Sequence, residues 1–591
     1  MAHADMVVVT LGETGHEMAQ TIAAHLDAPH QALRGDVPGQ LAAIFTAGQG
    51  LVALCASGIL IRALAPFLGT KWRDPPVLSV ALDGSSVVPL LGGHHGANDM
   101  ARDLAALLGG HAALTTGGEA RLGVALDAPP EGWRLVTPEA AKPAMARLLE
   151  GAAAKVSGAA DWLAPLNAEV TGTPGPTEPI VLSVEGAEPL IYRRPHLSLG
   201  VGCARGCRPE DLIALVGRAL AEAGLSADDL TGIWSVDVKA DEAAVHALAS
   251  HLGLPVRFYS AQQLEELTPR LANPSDVVFA EVGCHGVAEA AALAAGGADA
   301  TLVLEKTKTA TATCAVARTT GAPMPARARG RLAVVGIGPG AAEFRTPQVS
   351  RLIAEADELV GYGLYIDLLG SLAAGKPRKD FPLGGEEARC AYALERAGEG
   401  RSVVLVCSGD GGIYAMGALV MELLSRDQGL SDAARRVEVV NAPGVSALQL
   451  ASARAGALLG HDFCTISLSD LLTPRGDIIA RLHAAAAGDF VVAFYNPVSQ
   501  RRRTLLAEAR EILRAHRPDD TPVLLASNLG RPEERLVERT LATLEVDEVD
   551  MLTVVLVGAR GSRGFSVGDG AAGVAGRHLS TPRGYANKEQ S

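Results

Sequence analysis

The segment 331–340, which reads RLAVVGIGPG, constrains the fold of this chain more than any other. Its four central apolar residues run without interruption into a turn that contains three glycines. An unbroken apolar run is typical of a parallel strand that is covered on both faces. The glycines allow a sharp turn and a close approach of the backbone to a ligand. The stretch 341–362 that follows predicts a helix, so the pattern is the strand–turn–helix unit of α/β proteins.

The same pattern recurs through the chain. Apolar strands are predicted at 6–11, 51–55, 87–91, 403–407 and 489–497, each followed by a turn rich in glycine or polar residues. Ligand chemistry in α/β proteins lies in such turns, at the ends of strands. The pattern therefore predicts several α/β domains, and a small-molecule enzyme in the C-terminal half.

Composition narrows the class of protein. The chain has 591 residues, enough for about four domain-sized units, and 48% of them are hydrophobic, whereas only 4% are aromatic. A formal net charge of -14 argues against nucleic acid as the main partner. The eight scattered cysteines form no pair of zinc-binding motifs, so we expect no metal site and a reducing compartment. With neither a signal peptide nor a membrane-length apolar run, we expect a soluble, cytoplasmic protein with no membrane partner.

Composition shifts along the chain predict its domain boundaries. We expect an N-terminal α/β domain over 1–123, a connecting segment with a small subdomain over 124–195, where the strand signal fades, and another α/β domain over 196–318. The stretch 319–330, rich in Pro, Gly, Ala and Arg, is predicted to be a linker. The rest, 331–587, is predicted to form subdomains over about 331–442 and 443–570.

Two common nucleotide-binding signatures are absent from the sequence. There is no G-x-x-x-x-G-K-[ST] phosphate loop. The motif GIGPG also lacks the third glycine of a dinucleotide fingerprint. The residues by themselves thus indicate a small-molecule site without naming the ligand.

A series of motifs in the C-terminal part resembles a known family. GIGPG, SGDGGIYAMG, NAPGVSALQLASARAG, FYNP and STPRGY follow one another as in the tetrapyrrole methyltransferases of cobalamin biosynthesis, and most closely as in members that act on precorrin-3B. The resemblance implies two α/β subdomains with S-adenosylmethionine in the cleft between them. It also implies methylation of precorrin-3B at ring carbon 17, with contraction of the ring to precorrin-4.

The resemblance assigns roles to individual residues. The S-adenosylmethionine contacts it implies are Gly338, Pro339, Gly340, Ser408, Gly409, Asp410, Ile413, Ser446, Ala447, Asn496 and Thr553. Candidates for the base that contracts the ring are Tyr362, His461 and Asp470. Candidate clamps for the carboxylates of the substrate are Arg345, Arg475 and the run 501–503, although a solvated helix face is the competing interpretation of that run.

The N-terminal half resembles the cobalt-precorrin-5A hydrolase family. The resemblance rests on CASGILIRALAPFLGTKWRDPPV, LLGGHHGAN, LGVGCARGCRPEDL, SVDVKADE and TATCAVAR. It implies opening of a lactone and release of a two-carbon aldehyde. Candidate residues for water activation or carboxylate binding are Lys71, His94, His95, Lys239, Glu242 and Glu289.

Two alternatives remain open at the level of sequence. The N-terminal half is either a hydrolase or a non-catalytic module that binds and carries tetrapyrroles. The substrates are either metal-free or loaded with cobalt. In each case the partner is a small tetrapyrrole, and the resemblance implies a homodimer formed through the methyltransferase domain.

Overall fold

The structure is a computed structural model that describes residues 6–69, 74–114, 122–130, 132–158, 160–171, 178–373, 375–426, 428–498, 503–566 and 577–585. The described strands assemble into six sheets with helices packed against them, which confirms the predicted α/β class. The chain divides into two compact units close to Arg331. Within the described residues, no helix is long and apolar enough to cross a membrane. All eight cysteines are free thiols.

The first sheet is built from the predicted N-terminal strands. Its strands are β1 Met6–Leu11, β2 His30–Leu33, β3 Gly50–Leu54, β4 Val77–Val80, β5 Ser86–Leu91 and β6 His111–Ala112. They lie in the order β2-β1-β3-β4-β5-β6. The pair β4–β5 is antiparallel, and the other neighbouring pairs are parallel. The helices that cover both faces are His16–Leu26, Val37–Thr46, Ser57–Leu64 and Ala97–Leu108.

The region predicted to be a connecting segment has a sheet of its own. Its strands are β7 Arg134–Leu135, β8 Ala154–Ser157, β9 Glu169–Thr171, β10 Ile180–Val184 and β11 Leu190–Arg193. The helix Pro138–Leu149 packs on this sheet. A small core forms around Tyr192, whose hydroxyl donates a hydrogen bond to the Leu126 carbonyl at 2.9 Å.

The third sheet has neighbouring parallel strands at its centre. Its strands are β12 Leu197–Cys203, β13 Leu230–Val236, β14 Val256–Tyr259, β15 Thr301–Lys308 and β16 Ala312–Arg318, in the order β14-β13-β12-β16-β15. Its helices are Pro209–Glu222, Ala243–Leu252, Ala261–Glu265, Asp276–Val282 and Ala288–Gly296. The alanine-rich last helix packs so closely on β12 that a Cβ at Gly200 would lie 1.9 Å from the Ala288 carbonyl oxygen. Small residues thus allow close helix–sheet packing.

The fourth sheet contains the segment 331–336 at which the sequence analysis began. Its strands are β17 Arg331–Gly336, β18 Glu358–Tyr362, β19 Arg378–Phe381, β20 Ser402–Cys407 and β21 Glu438–Ala442, in the order β19-β18-β20-β17-β21. Its helices are Pro347–Ala354, Gly363–Asp367, Glu386–Gly398 and Met416–Ser425, whereas the short helix Asp432–Arg435 belongs to the first compact unit.

The prediction of one helix over 341–362 was wrong. The helix begins at Pro347, where the Thr346 side chain accepts a hydrogen bond from the Val349 amide at 3.2 Å, and it ends at Ala354. The last part of the predicted helix is strand β18, whose residues 358–361 are buried. Strand pairing with β19 and β20 on both sides outweighs the local helical pattern there.

Two further sheets complete the C-terminal part. The larger contains β23 Phe463–Ser467, β24 Val491–Tyr495, β25 Pro522–Ser527, β26 Arg535–Thr540 and β27 Thr553–Val557, in the order β23-β24-β27-β25-β26. The smaller contains β22 Gly456–Ala457, β28 Arg563–Ser566 and β29 Arg577–Ser580. The helices are Ala447–Ala455, Arg475–Ala487 and Thr504–Arg514. Because β24 and β25 are both antiparallel to β27, their carboxyl ends lie at one edge together with the start of β27.

Candidate functional site

The turns that follow β17 and β20 are joined through their backbones. The amide of Gly338 donates to the carbonyl of Gly409 at 3.1 Å, and the amide of Gly409 donates to the carbonyl of Gly338 at 2.8 Å. Both glycines have positive φ, +79° and +68°, a conformation that other residues rarely adopt. Two of the predicted site turns are therefore one structural unit.

The turn that follows β21 joins the same cluster through a close approach of backbones. A Cβ at Gly444 would lie 2.3 Å from the carbonyl oxygens of both Gly336 and Gly409. A Cβ at Gly336 would lie 2.6 Å from the carbonyl oxygen of Gly409. Only glycine fits at these two positions, so sequence and geometry agree on three turns in direct contact.

Asp410 links two of these turns with its side chain. Its Oδ1 accepts a hydrogen bond from the Gly412 amide at 2.8 Å, and its Oδ2 accepts one from the Gly444 amide at 3.0 Å. A carboxylate has about four acceptor positions, and the side chain is only half-buried. Asp410 thus has acceptor capacity left for a hydroxyl or an ammonium group of a ligand.

Ser446 and Ala447 begin a helix next to the end of β24. The Ser446 side chain and Gln449 form a capping box at the start of the helix Ala447–Ala455. The Ser446 hydroxyl is also hydrogen-bonded to the hydroxyl of Tyr495, which accepts a bond from the Leu448 amide at 3.1 Å. Burial raises the pKa of Tyr495, so this phenol stays protonated. Sequence reasoning did not single out Tyr495, although it lies in the quoted motif FYNP.

Two other predicted positions lie on the larger sheet or its neighbouring turn, and a third, Ile413, lies in the turn that follows β20 of the fourth sheet. Asn496 has a positive φ of +50° and donates from its amide to the Ser467 hydroxyl at 3.1 Å. The Thr553 hydroxyl donates a hydrogen bond to the Asp550 carboxylate at 2.6 Å and is hydrogen-bonded to the Ser527 hydroxyl at 2.7 Å. This buried side chain therefore joins β27 to β25. The Ile413 side chain is exposed.

Arg531 reaches from the larger sheet to the turns of the fourth sheet. It follows β25, and its Nε donates to the Pro339 carbonyl at 3.1 Å, while Nη2 lies 3.4 Å from the Ser408 hydroxyl. Arg531 was not among the predicted site residues. The sequence pattern that could have indicated it is the apolar strand 522–527, which is followed by a glycine-containing turn directly before Arg531.

The three candidates for the ring-contraction base lie in different places. Tyr362 ends β18, and its ring packs edge-on against Tyr365 with centroids 5.2 Å apart. Asp470 follows β23, at the end of the sheet where Asn496 lies. His461 precedes β23 and accepts a hydrogen bond from the Asp462 amide at 2.8 Å. The length of β23 therefore separates His461 from the edge that carries the other predicted residues.

Two of the three predicted arginine clamps that the structure describes are bound to acidic side chains. Arg475 pairs with Glu508, and Arg503 pairs with Asp547 at 2.8 Å. Residues 501 and 502 lie outside the described residues. The buried Nε of Arg345 has no hydrogen-bond partner among the residues that the structure describes, and burial lowers the pKa of its guanidinium.

The candidate residues of the N-terminal half lie in different places, and their side chains have different surroundings. Lys71 lies outside the described residues, and the backbone of His94 belongs to the short helical turn Gly93–His95. The buried Nε2 of His95 has no hydrogen-bond partner within the described part of the chain. Glu289 accepts hydrogen bonds at 2.9 Å from the Asn273 amide, the Asn273 side chain and the Lys306 amide. Its carboxylate therefore has a structural role, because it holds the segment around Asn273 to strand β15.

Lys239 and Glu242 come together at the carboxyl ends of the parallel strands β12 and β13. The Glu242 carboxylate is buried, and its Oε1 accepts a hydrogen bond from the Gly206 amide at 2.9 Å. No hydrogen bond reaches Oε2 from the described residues. The Arg205 Nη1 lies 3.3 Å from Oε2, and the Lys239 Nζ lies 3.7 Å from it.

A cysteine thiol faces the same group of charges. Burial, reinforced by the negative charge of Glu242, raises the pKa of Cys203 to about 12. The thiol is therefore protonated at neutral pH and is a poor nucleophile. Arg205 is held by Asp241 at 2.7 Å and by the Val238 carbonyl at 2.6 Å, which leaves Lys239 and Glu242 as the groups suited to acid–base chemistry.

Three family models match the chain. The model of the cobalamin synthesis G N-terminal region matches residues 39–119, and that of the cobalamin synthesis G C-terminus matches residues 197–317. The model of the tetrapyrrole (corrin/porphyrin) methylases matches residues 331–545. The chain thus carries both cobalamin synthesis G regions ahead of a tetrapyrrole methylase.

Curated relatives match the C-terminal part over nearly their whole length. The precorrin-3B C(17)-methyltransferase of Sinorhizobium sp is 41% identical over 259 residues, which are 44% of this chain and 98% of that protein. The probable cobalt-factor III C(17)-methyltransferase of Salmonella typhimurium is 39% identical, over 43% of this chain and 99% of that protein. The solved structure of the methyltransferase CobJ covers 43% of this chain and 100% of its own, at 37% identity and a TM-score of 0.39. By its match to nearly the whole length of the Sinorhizobium and Salmonella relatives, the chain belongs to the tetrapyrrole methylase family.

Proposed function

We propose that the C-terminal part catalyses S-adenosylmethionine-dependent methylation of precorrin-3B at ring carbon 17, with ring contraction to precorrin-4. The name of the Sinorhizobium relative, matched over 98% of its length, supports this reaction. The observation that carries the proposal is the contact of three strand-end turns around Asp410 and Gly444. A cluster of this kind offers backbone donors and acceptors without long side chains in the way of a ligand.

The residues present fit S-adenosylmethionine. Asp410 keeps acceptor capacity for a ribose hydroxyl or the ammonium group of the donor. No heavy atom lies within 3.8 Å of the position that a Cβ at Gly409 would take, so its backbone is open on that side. The bound donor supplies an electrophilic methyl group. The residues proposed to hold it are Gly338, Pro339, Gly340, Ser408, Gly409, Asp410, Ile413, Ser446, Ala447, Asn496 and Thr553.

The chain's main task in methyl transfer is positioning. An in-line displacement needs the attacking carbon and the methyl group in one fixed geometry, and glycine turns held by backbone hydrogen bonds are rigid enough to provide it. For the proton removed during ring contraction, Tyr362 and Asp470 are the proposed bases because they lie at carboxyl ends of strands. His461, at the opposite end of β23, is the weakest of the three candidates.

We also propose that the N-terminal half opens a lactone, with Glu242 and Lys239 as its catalytic pair. Water bound between the two groups would give a proton to Glu242 Oε2 as its oxygen attacks the lactone carbonyl carbon. The ammonium group of Lys239 stabilises the resulting oxyanion. The acyl–oxygen bond then breaks, and Glu242 returns the proton to the leaving oxygen, which gives a carboxylic acid and a hydroxyl group. The 3.7 Å separation of Nζ and Oε2 suits a bridging water.

The metal state of the substrate defines a second candidate function. The Salmonella relative is named for cobalt-factor III, and it matches this chain about as well as the Sinorhizobium relative does. Transfer of labelled methyl from S-adenosylmethionine to precorrin-3B, compared with transfer to cobalt-factor III, discriminates the two. We expect the metal-free substrate to react faster. Inertness toward both would overturn the methyltransferase proposal.

The lactone activity has a separate test. The full chain is mixed with cobalt-precorrin-5A, and the aldehyde released is measured with a coupled alcohol dehydrogenase. Glu242→Gln is expected to lower the rate about 10²-fold or more, as loss of a general base does. The matched control is Glu210→Gln, an exposed glutamate in the first turn of the helix Pro209–Glu222. A wild-type chain that binds the intermediate without releasing aldehyde would favour a carrier module instead.

Two further properties belong to the proposal. The eight free thiols support a reducing compartment such as the cytoplasm. We also propose a homodimer formed through the methyltransferase domain, as the family resemblance implies. Sedimentation equilibrium of the full chain tests the dimer, and a monomer at micromolar concentration would overturn it.

A further inference from the structure

The side chain of Arg531 is built into the turn cluster. It passes over Gly340, where a Cβ would lie 2.6 Å from the Cγ of Arg531 and 2.5 Å from the carbonyl oxygen of Gly530. Its guanidinium then reaches the Pro339 carbonyl and the Ser408 hydroxyl. Gly340 is therefore required for the arginine to lie where it does.

The positive charge of Arg531 is not neutralised within the part of the chain that the structure describes. Both of its partners are neutral groups, and it forms no ion pair there. Other arginines of this unit do have acidic partners: Arg454 lies 3.0 Å from Glu534, and Arg539 lies 2.5 Å from Glu548. A half-buried cation held by neutral groups favours binding of an anion, and the planar guanidinium can bind both oxygens of a carboxylate.

A second cation without an acidic partner lies near the same strand ends. Arg389 is 3% exposed, its Nη2 donates to the Pro382 carbonyl at 3.0 Å, and its Nε has no hydrogen-bond partner among the described residues. The charges of Arg389 and Arg531 both act on the phenol of Tyr365, in the short helix that follows β18. Because burial of an unpaired charge is costly, two such cations indicate a site for negative charge.

Tyr365 offers a hydrogen-bond donor at this position. Its hydroxyl makes no hydrogen bond within the described chain, and burial raises its pKa, which keeps the proton on the oxygen. The charges of Arg389 and Arg531 lower its pKa and those of Cys407 and Tyr362 raise it, and the Tyr362 ring packs edge-on against it with centroids 5.2 Å apart. A protonated phenol and a guanidinium are complementary to the oxygens of one carboxylate.

We propose that Arg531, assisted by Tyr365, binds a carboxylate in the methyltransferase site. The inference rests on the proposed function, because that function determines which carboxylates are available. One source is the amino-acid part of S-adenosylmethionine, and the other is an acidic side chain of the tetrapyrrole. The chemistry of recognition is the same for both.

The two sources are separated by calorimetry on the full chain with Arg531→Gln. S-Adenosylhomocysteine carries the carboxylate, whereas 5′-methylthioadenosine shares its nucleoside and thioether but lacks the carboxylate. If Arg531 binds the carboxylate of the methyl donor, the variant's affinity for S-adenosylhomocysteine falls about 10-fold to 100-fold, and its affinity for 5′-methylthioadenosine stays within about twofold. If Arg531 binds a carboxylate of the substrate, both affinities are retained and the KM for precorrin-3B rises about 10-fold or more.

Arg531→Lys and Arg535→Gln serve as controls. Lysine keeps the charge without the bidentate geometry and should restore part of the lost affinity, whereas Arg535 is an exposed neighbour whose replacement should change neither constant. Equal loss of affinity for both nucleosides would assign Arg531 a structural role and overturn the proposal, as would unchanged affinities together with an unchanged KM. A wild-type chain that does not bind S-adenosylhomocysteine would overturn the proposed function itself.

Discussion

The Asp410 carboxylate holds the Gly444 amide at 3.0 Å, across 34 residues of sequence. The same carboxylate holds the Gly412 amide of its own turn at 2.8 Å. One side chain thus fixes the relative position of two turns, which belong to different strands of the fourth sheet. This relationship makes Asp410 both a structural link and a candidate ligand for the methyl donor.

Asp410→Ala should weaken S-adenosylmethionine binding by about tenfold or more, because two amide groups lose their acceptor and each unmet hydrogen bond costs about 1–3 kcal/mol. Calorimetry with S-adenosylhomocysteine measures the change. Asp520→Ala, at an exposed position, is the matched control. Unchanged affinity in Asp410→Ala would count against the assigned pocket.

Gly444→Ala should disrupt the turn cluster. The new Cβ would lie 2.3 Å from two carbonyl oxygens, so the backbone must move, at a cost of about 1–3 kcal/mol. We expect a lower melting temperature and loss of S-adenosylhomocysteine binding. Gly476→Ala is the control, because a Cβ there meets no heavy atom within 4 Å and lies in a helix. Equal melting temperatures for the two variants would contradict the close approach.

The sequence predicted the local units of this site but not the contacts between them. The strands and their polar turns follow from local patterns, as with Ser402–Cys407, which ends where the sequence placed Ser408 and Asp410. The contact of Arg531 with Pro339 joins residues 192 positions apart. No local periodicity records such a contact, because it depends on how two sheets pack.

The errors in the secondary-structure predictions have a physical pattern. Strand β18 was predicted as helix because it directly follows the apolar helical pattern at Val349, Leu352, Ile353 and Ala356, with no Gly or Pro in between. The strands of the sheet β7–β11 were not predicted, because they have only two to five residues each. Short strands are stabilised by pairing with distant partners, and a single sequence gives little information about that pairing.

Glu242→Gln should make Cys203 more reactive. The negative charge of Glu242 helps to raise the pKa of the thiol to about 12, and the positive charge of Lys239 lowers it. Removal of the carboxylate lowers the pKa, and each unit of decrease raises the thiolate fraction about tenfold when the pH is well below the pKa. Alkylation by iodoacetamide at pH 9, followed by peptide mass spectrometry, measures the rate at Cys203.

Lys239→Met should have the opposite effect on the same thiol. Loss of the positive charge raises the pKa of Cys203 further, so alkylation slows. A general loosening of the fold would accelerate alkylation in both variants and would contradict the proposed arrangement of charges. Glu210→Gln, which changes an exposed carboxylate, should leave the rate as it is in the wild type.

Glu289→Gln should lower the stability of the domain that contains β15 and β12. Burial raises the pKa of Glu289, but the hydrogen bonds from Asn273 and Lys306 outweigh this effect, and the pKa is lowered overall. A lowered carboxylate pKa stabilises the folded state fully above the unfolded value of about 4.3, and this stabilisation is lost as the pH falls through the folded value. A glutamine places an NH₂ group where an acceptor is needed, at a cost of about 1–3 kcal/mol.

Thermal unfolding should therefore show a difference in stability between wild type and Glu289→Gln that is constant from pH 6 to pH 8 and shrinks as the pH falls below about 4.3. The control, Glu266→Gln, changes an exposed glutamate. If the wild type stays more stable than Glu289→Gln by the same amount well below the folded pKa, the charge of Glu289 is not what stabilises these hydrogen bonds.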